Sequence, residues 1–197
     1  MTKAIRAPYL YGSLIGIALL IAGVTYAAFS DQGKVLGSTF YTGSADIKFL
    51  AEVTAMPEPG SLVDTLPGPT FENIGSNWQT DYLIKIFNNG TYPMALTSNA
   101  NYETASDPDD LRQIIYVEPI EWHDDQPTNG EVDIGELGTS LGKKSILHWK
   151  TEGYDLGTLP IEETKGYVLR FSTDDVSSTK QGKTGIYDFE FDAIQQD

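Results

Sequence analysis

The chain has 197 residues, no cysteine and a formal net charge of −15, from 13 basic and 28 acidic residues. This length suggests one domain with room for a sizeable core. The absence of cysteine excludes disulfides, thiolate nucleophiles and Cys-based zinc sites. A surface this acidic repels phosphate backbones, which argues against nucleic-acid binding, and it favours solubility and attracts cations.

The first 27 residues have the composition of an export signal. Lys3 and Arg6 are the only charged residues before Asp31, and an apolar run over residues 14–24 follows them. A basic start, a short apolar stretch and small residues near its end are the parts of a secretory signal peptide. An uncleaved membrane anchor is the alternative, because residues 9–29 are just long enough to span a bilayer.

Small residues place the signal cleavage site between Ala27 and Ala28. Cleavage there puts Thr25 and Ala27 at the two positions that must be small, whereas cleavage one residue later would put Tyr26 at one of them. We therefore predict a mature chain that begins at Ala28. Loss of the signal leaves 11 basic and 28 acidic residues, a net charge of −17.

After residue 30 the chain has the period-2 pattern of β-strands. In residues 185–193, Tyr187, Phe189 and Phe191 alternate with acidic residues, so one face meets a core and the other meets water. Weaker alternation or β-rich runs occupy residues 46–53, 80–87, 113–122 (interrupted at Pro119) and 166–172. Short strands with turn-rich connections predict an all-β, jelly-roll-like β-sandwich.

One turn and one loop connect these predicted strands. The sequence Asn-Asn-Gly at residues 88–90 predicts a turn, because Asn and Gly tolerate positive φ. Residues 91–98 would be the returning strand, with Pro93 placing it at an edge or a bulge. Four prolines and two glycines within residues 56–69 predict an ordered loop between strands rather than an interdomain linker.

Residues 125–136 fit much of the calcium-binding loop of EF-hands. The candidate metal ligands, at loop positions 1, 5, 7, 9 and 12, are Asp125, Asn129, Glu131, Asp133 and Glu136. Pro127 stands at position 3 and removes one ligand, and the flanking residues do not have a helical pattern. The loop predicts a Ca²⁺ site, and an acidic solvated loop with an ordinary Asn-Gly turn is the alternative.

Three stretches of the chain resemble the TasA/camelysin (CalY) family of exported biofilm-matrix fibre proteins, which has archaeal bundling-pilin relatives. The first is the signal junction at residues 25–31, followed by Thr39, Phe40, Gly43, Asp46 and Ile47 in the family's spacing. The second is the strand and turn of residues 82–93, and the third is the strand of residues 187–193. Residues 100–165 show little resemblance.

The resemblance implies a jelly-roll-like sandwich, processing by a signal peptidase of the SipW type, and assembly into extracellular fibres or pili with a role for minor fibre subunits. It also implies that the mature amino terminus adds as a strand to the next copy's sandwich, in a head-to-tail homopolymer. The chain would then comprise a signal peptide (1–27), a donor-strand segment (28–45) and a β-sandwich domain (46–197). The apolar donor residues would be Phe29, Val35, Leu36, Phe40 and Tyr41. Alternatively, residues 28–43 form the first strand of their own sandwich.

Neither catalysis nor glycan binding has a strong signal. Camelysin-type relatives have been classed as metallopeptidases, but the two histidines, His123 and His148, lack the spacing of a zinc protease. We therefore expect no catalytic residues. A monomeric carbohydrate-binding or calcium-binding surface domain is the alternative, since the chain has three tryptophans and many tyrosines. Asn89 begins an N-glycosylation sequon on the predicted turn.

Overall fold

The described part of the chain, residues 44–101, 106–124 and 128–196 of the computed structural model, consists of ten β-strands, one α-helix and one 3₁₀ turn. The strands are β1 (Ile47–Leu50), β2 (Leu62–Val63), β3 (Gln79–Asn88), β4 (Met94–Asn101), β5 (Ile115–Trp122), β6 (Leu137–Ser140), β7 (Lys144–Ser145), β8 (Tyr154–Leu159), β9 (Thr164–Thr173) and β10 (Asp188–Gln195). The helix α1 is Ile146–Glu152, and the 3₁₀ turn is Leu111–Gln113.

The strands form two antiparallel sheets that pack face to face. The large sheet has the order β2-β1-β3-β9-β5-β6, with β7 also paired to β5, and the small sheet has the order β10-β4-β8. Most paired strands are not consecutive in the chain, for example β3 with β9 and β10 with β4, as expected for the crossing connections of a sandwich. The predicted all-β sandwich is therefore confirmed.

The core lies between the two sheets. Residues of β4 are buried in alternation, and Leu96 and Ala100 on its inner face are fully enclosed. They pack with Ile84 and Ile86 of β3 in one apolar cluster. The predicted inner and outer faces follow from this alternation, because successive side chains of a strand point to opposite sides.

The turn at residues 88–90 connects the two sheets instead of closing a hairpin. β3 pairs with β1 and β9, whereas β4 pairs with β10 and β8, so the predicted return of the chain beside β3 is wrong. Neither Asn89 nor Gly90 has positive φ. Glycine is needed for close packing, because a Cβ on Gly90 would lie 2.4 Å from the carbonyl oxygen of Ser44.

β5 runs through Pro119 without interruption, contrary to the sequence prediction. Pro119 pairs with Leu169 of β9 within a continuous ladder. The carbonyl of Pro119 points away from β9 and accepts the N–H of Leu141. The nitrogen of a strand residue points to the same side as its carbonyl, so the nitrogen of Pro119 also faces away from β9. On that side, β6 and β7 pair only with other residues of β5. Proline is tolerated there because no ladder bond needs its missing N–H.

Helix α1 covers one end of the core and was not predicted. Ser145 caps it by accepting the N–H of His148, and Ile146 and Trp149 are its buried residues. The indole N–H of Trp149 donates to the Ser98 hydroxyl at 3.1 Å. In the described ranges no helix is long and apolar enough to cross a membrane.

Candidate functional site

β10 is an edge strand of the small sheet and carries the clearest alternation in the sequence. It pairs with β4 over all eight of its residues, from Asp188 opposite Asn101 to Gln195 opposite Met94. The acidic side chains of residues 188, 190 and 192 are exposed, and those of Phe189 and Phe191 are half-buried. On its other side, β10 has no neighbouring strand among the described residues.

The register shows which backbone groups of β10 lie on this open edge. The N–H of Gln196 donates to the carbonyl of Pro93 at 2.9 Å, in line with the β10–β4 ladder. Antiparallel ladders bond every second residue to the same neighbour, so the even-numbered residues of β10 face β4. The N–H and C=O groups of Phe189, Phe191 and Ala193 therefore point to the open edge.

A groove of about 630 Å³ runs along this edge, between β10 and the proline-rich loop. The loop, residues 64–69, forms one wall, and the inner face of the large sheet, including Phe49 and Ile84, forms the floor. A second cavity of about 480 Å³ continues it past Tyr187 and Phe189 towards Trp78. The combined groove, here called the β10 groove, lies where a fourth strand of the small sheet would pack.

Aromatic and aliphatic side chains form much of the lining of the β10 groove, and the acidic residues Asp64, Asp188, Glu190 and Asp192 line it as well. The ring of Phe191 meets that of Phe49 edge-on at 5.5 Å between centroids, and Phe189 stacks on Trp149 at 4.7 Å. Burial raises the pKa of Tyr187, and the nearby carboxylate of Asp107 raises it further. The aromatic rings of Phe49, Phe189 and Phe191 offer apolar surface to a bound side chain.

The other edge of the small sheet is protected. The carbonyl of Leu156, at a bulge in β8, accepts the hydroxyl of Tyr167 at 2.7 Å and the ammonium of Lys165 at 3.2 Å. In the large sheet, the edge strand β2 has only two residues. Bulges and short strands are common devices against unwanted strand pairing, so β10 stands out as the long edge beside an apolar groove.

The predicted cleavage site and donor residues lie outside the described residues. These are Ala27, Ala28, Phe29, Val35, Leu36, Phe40 and Tyr41. Ser44 is the first described residue, and its carbonyl accepts the N–H of Thr91 at 3.2 Å. The segment before Ser44 therefore joins the domain beside the turn that precedes β4, at the end of the sandwich where β10 finishes.

The predicted calcium loop is closed by bonds among its own residues. The amide oxygen of Asn129 accepts the N–H of Glu131, and its amide nitrogen donates to Asp133 at 3.0 Å. Glu136 is buried, and its Oε2 accepts the N–H of Asp133 and the indole N–H of Trp122. Asp125 lies outside the described residues. The described residues contain no cluster of three or more Asp, Glu or His side chains that could hold a metal ion. The Ca²⁺ site therefore stays a prediction.

Asp124 anchors this loop, a role that sequence reasoning missed. Its carboxylate accepts the backbone N–H groups of Asn129 and Gly130, and it pairs with the Lys85 ammonium at 2.8 Å. Lys85 lies over the ring of Trp122 at 4.9 Å. An acidic residue before an Asn-Gly turn is the signal that indicates such a cap.

The remaining sequence candidates occupy ordinary structural positions. His148 lies in helix α1, where its Nδ1 is 3.1 Å from the Ser145 hydroxyl, while His123 follows β5. The absence of catalytic residues stays an expectation. Asn89 is exposed, and its amide donates to Asp46 at 2.5 Å. Its glycosylation also stays a prediction.

Comparison with protein-family models finds no match, and comparison with curated proteins finds no significant similarity. The resemblance to the TasA/camelysin family therefore stays a prediction from the quoted motifs.

Proposed function

We propose that the chain is a secreted structural subunit of extracellular matrix fibres or pili, which polymerises by inserting residues 28–43 of one copy into the β10 groove of the next. The single observation that carries the proposal is the open edge of β10 beside an apolar groove. An edge of this kind is a template for pairing with another strand, the mode of recognition called β-augmentation.

The lengths of the segment and the groove agree. β10 has eight residues, which span roughly 26 Å in an extended strand. Residues 28–43 supply more than enough chain for a strand of that length. The eight residues from Lys34 to Tyr41 contain four of the five apolar donor residues.

The alternation of the segment limits which of its residues can enter the groove. Leu36 and Phe40 share one face of an extended strand, and Val35 and Tyr41 share the other. Either pair would supply two large anchors to the aromatic lining. Burying two such side chains contributes about 3–6 kcal/mol before the cost of ordering the segment, and the backbone bonds to β10 add to this.

The charges of the segment and of β10 favour this pairing over edge-to-edge contact between two domains. Two β10 strands brought together would oppose their acidic side chains, Asp188, Glu190 and Asp192, and like charges directly across a sheet repel. Residues 28–43 carry one acid, Asp31, and one base, Lys34. A segment without net charge avoids that repulsion, so the acidic face selects the correct strand.

A chain that lacks residues 28–40 tests the proposal. Mature protein that begins at Ala28 should form filaments in negative-stain electron microscopy, and the shortened protein should remain monomeric with a preserved circular dichroism spectrum. Filaments from the shortened protein would show that the segment is not the link between subunits. Mature protein that stays monomeric at every concentration would favour self-insertion of the segment or a solitary binding domain.

A further inference from the structure

The sequence Asn-Gly occurs twice in the chain, at residues 89–90 and 129–130, and both asparagines are exposed. Asparagine before glycine is prone to spontaneous deamidation, because glycine has no side chain to hinder the attack of its backbone nitrogen. A bond forms between this nitrogen and the asparagine Cγ, the nitrogen loses its proton, and ammonia leaves. Water then opens the cyclic imide to aspartate or isoaspartate. The bonds around each glycine nitrogen therefore control how fast each asparagine reacts.

At Asn129, three hydrogen bonds oppose this reaction. The attacking nitrogen, that of Gly130, donates to Oδ2 of Asp124 at 3.3 Å. The side-chain amide of Asn129 is held at both ends, because its oxygen accepts the N–H of Glu131 at 2.8 Å and its nitrogen donates to Asp133 at 3.0 Å. Loss of the Gly130 proton to water would place a second negative centre beside the carboxylate of Asp124, which raises the barrier.

The carboxylate of Asp124 is itself held firmly in place. Its side chain is 1% exposed and pairs with the ammonium of Lys85 in β3 at 2.8 Å. Its Oδ1 accepts the backbone N–H of Asn129 at 3.1 Å. A buried acceptor with three partners keeps its position, so it restrains the Gly130 nitrogen for as long as the loop stays closed.

At Asn89, the corresponding nitrogen is more completely enclosed. The N–H of Gly90 donates to Oδ1 of Asn88 at 2.9 Å, and both Gly90 and Asn88 are buried. A Cβ on Gly90 would lie 2.4 Å from the carbonyl oxygen of Ser44, so the turn has little room to rearrange. Gly130 is only half-buried, and its hydrogen bond is longer. Asn129 is therefore the less protected of the two asparagines.

We infer that Asn129 is a site of spontaneous deamidation, the faster of the two Asn-Gly sites, and that the carboxylate of Asp124 limits its rate. The inference is independent of the proposed function, because the site lies on the loop after β5 and not in the β10 groove. The only co-reactant that the modification needs is water.

The modification would loosen this loop. An aspartate at position 129 replaces the amide that donates to Asp133 with a second carboxylate, and like charges at that distance repel. Isoaspartate adds a carbon atom to the backbone of a turn in which Gly130 has a φ of 71° and packs closely against Val53 and Thr54. Either product therefore weakens the contact between the two loops that cover the outer face of the large sheet.

Deamidation rates of the mature protein and two variants test the inference. Asp124→Ala removes the acceptor of the Gly130 N–H, and Asp174→Ala removes an exposed acid that pairs with Lys143 and serves as the matched control. The proteins are incubated at mildly alkaline pH, and peptide mass spectrometry follows both asparagines. The quantity compared is the rate at Asn129 divided by the rate at Asn89 in the same molecule, so that general unfolding does not count as a local effect.

In the unmodified chain, Asn129 should react faster than Asn89 and at least about tenfold slower than in a synthetic peptide of residues 126–133. Asp124→Ala should raise the ratio about 10- to 100-fold, the value of a hydrogen bond to a charged acceptor, and Asp174→Ala should not change it. If Asp124→Ala is unfolded at the incubation temperature, Asp124→Asn replaces it, because it keeps the size of the side chain and should give a smaller rise.

Three results would overturn the inference. A rate at Asn129 equal to that of the peptide would show that the folded loop gives no protection. A ratio that stays the same or falls in the folded Asp124 variant would show that this carboxylate does not restrain the reaction. Faster deamidation at Asn89 than at Asn129 in the unmodified chain would reverse the order of the two sites.

Discussion

At the scale of single residues, Asn88 holds together the corner where the chain passes from the large sheet to the small sheet. Its side chain is fully buried and donates to the carbonyls of Tyr92 and Leu159 at 2.9 and 3.0 Å. Its amide oxygen accepts the N–H of Gly90 at 2.9 Å. One side chain therefore satisfies three backbone groups of three different residues.

Asn88→Ala should destabilise the domain by about 2–4 kcal/mol, because three backbone groups, two of them buried, lose their partner. The free energy of unfolding in urea measures this loss. Asn99→Ala is the matched control, since Asn99 is half-buried on the outer face of β4, and its effect should stay below about 1 kcal/mol. Equal unfolding midpoints for the two variants would contradict the role given to Asn88.

At the scale of elements, residues of β10 whose N–H faces β4 alternate with residues whose N–H faces the open edge. This alternation allows a test of the open edge. Ala193→Pro removes an N–H that points to the open edge of β10, whereas Asp192→Pro removes one that points to β4. Proline is compatible with an edge strand only where its missing N–H faces away from the ladder. The two substitutions are adjacent, and each introduces the same ring.

We expect Ala193→Pro to keep the unfolding free energy of the domain within about 1 kcal/mol and to lower the yield of filaments. Asp192→Pro should destabilise the domain by roughly 1–3 kcal/mol, because the carbonyl of Thr97 loses its donor. Urea unfolding and light scattering of the mature protein measure the two effects. Normal filament formation by a folded Ala193→Pro protein would be incompatible with pairing at this edge.

The sequence predicts the long alternating elements well and their partners poorly. Period-2 patterns predicted β10 and β9, and a β-rich apolar run predicted β3 as a more deeply buried strand. The same pattern carries no information on which strand lies alongside, so the chain after residues 88–90 was expected beside β3. β8 was missed because Gly157, at positive φ, lies in its bulged pairing with β4. Helix α1 has seven residues, too few for a helical period to stand out.

The candidate site, too, was predicted from the sequence only in part. Residues 125–136 were chosen from their spacing, but the acidic residue that anchors this loop, Asp124, stands just before the template. The aromatic face of β10 was predicted, whereas the β10 groove was not. An unpaired edge depends on the order of strands that are distant in sequence, and that order is set by the packing of both sheets.

At the scale of the whole molecule, the small sheet of the described domain has three strands, and the proposed function adds a fourth from a second copy. The mature subunit would carry a net charge of −17, so assembly has to overcome general repulsion. In the proposed fibre, a short segment without net charge would do this through backbone bonds to β10 and burial of its apolar side chains. The proposed fibre is the consequence of repeating that contact.

The most direct test of strand insertion at the open edge of β10 is hydrogen–deuterium exchange at the amides of Phe189, Phe191 and Ala193. In protein that lacks residues 28–40, these amides should exchange fast, while those of Glu190 and Asp192, bonded to β4, exchange slowly. In filaments of the mature protein, all five should be protected. Amides of Phe191 and Ala193 that still exchange fast in filaments would contradict insertion of a strand at this edge.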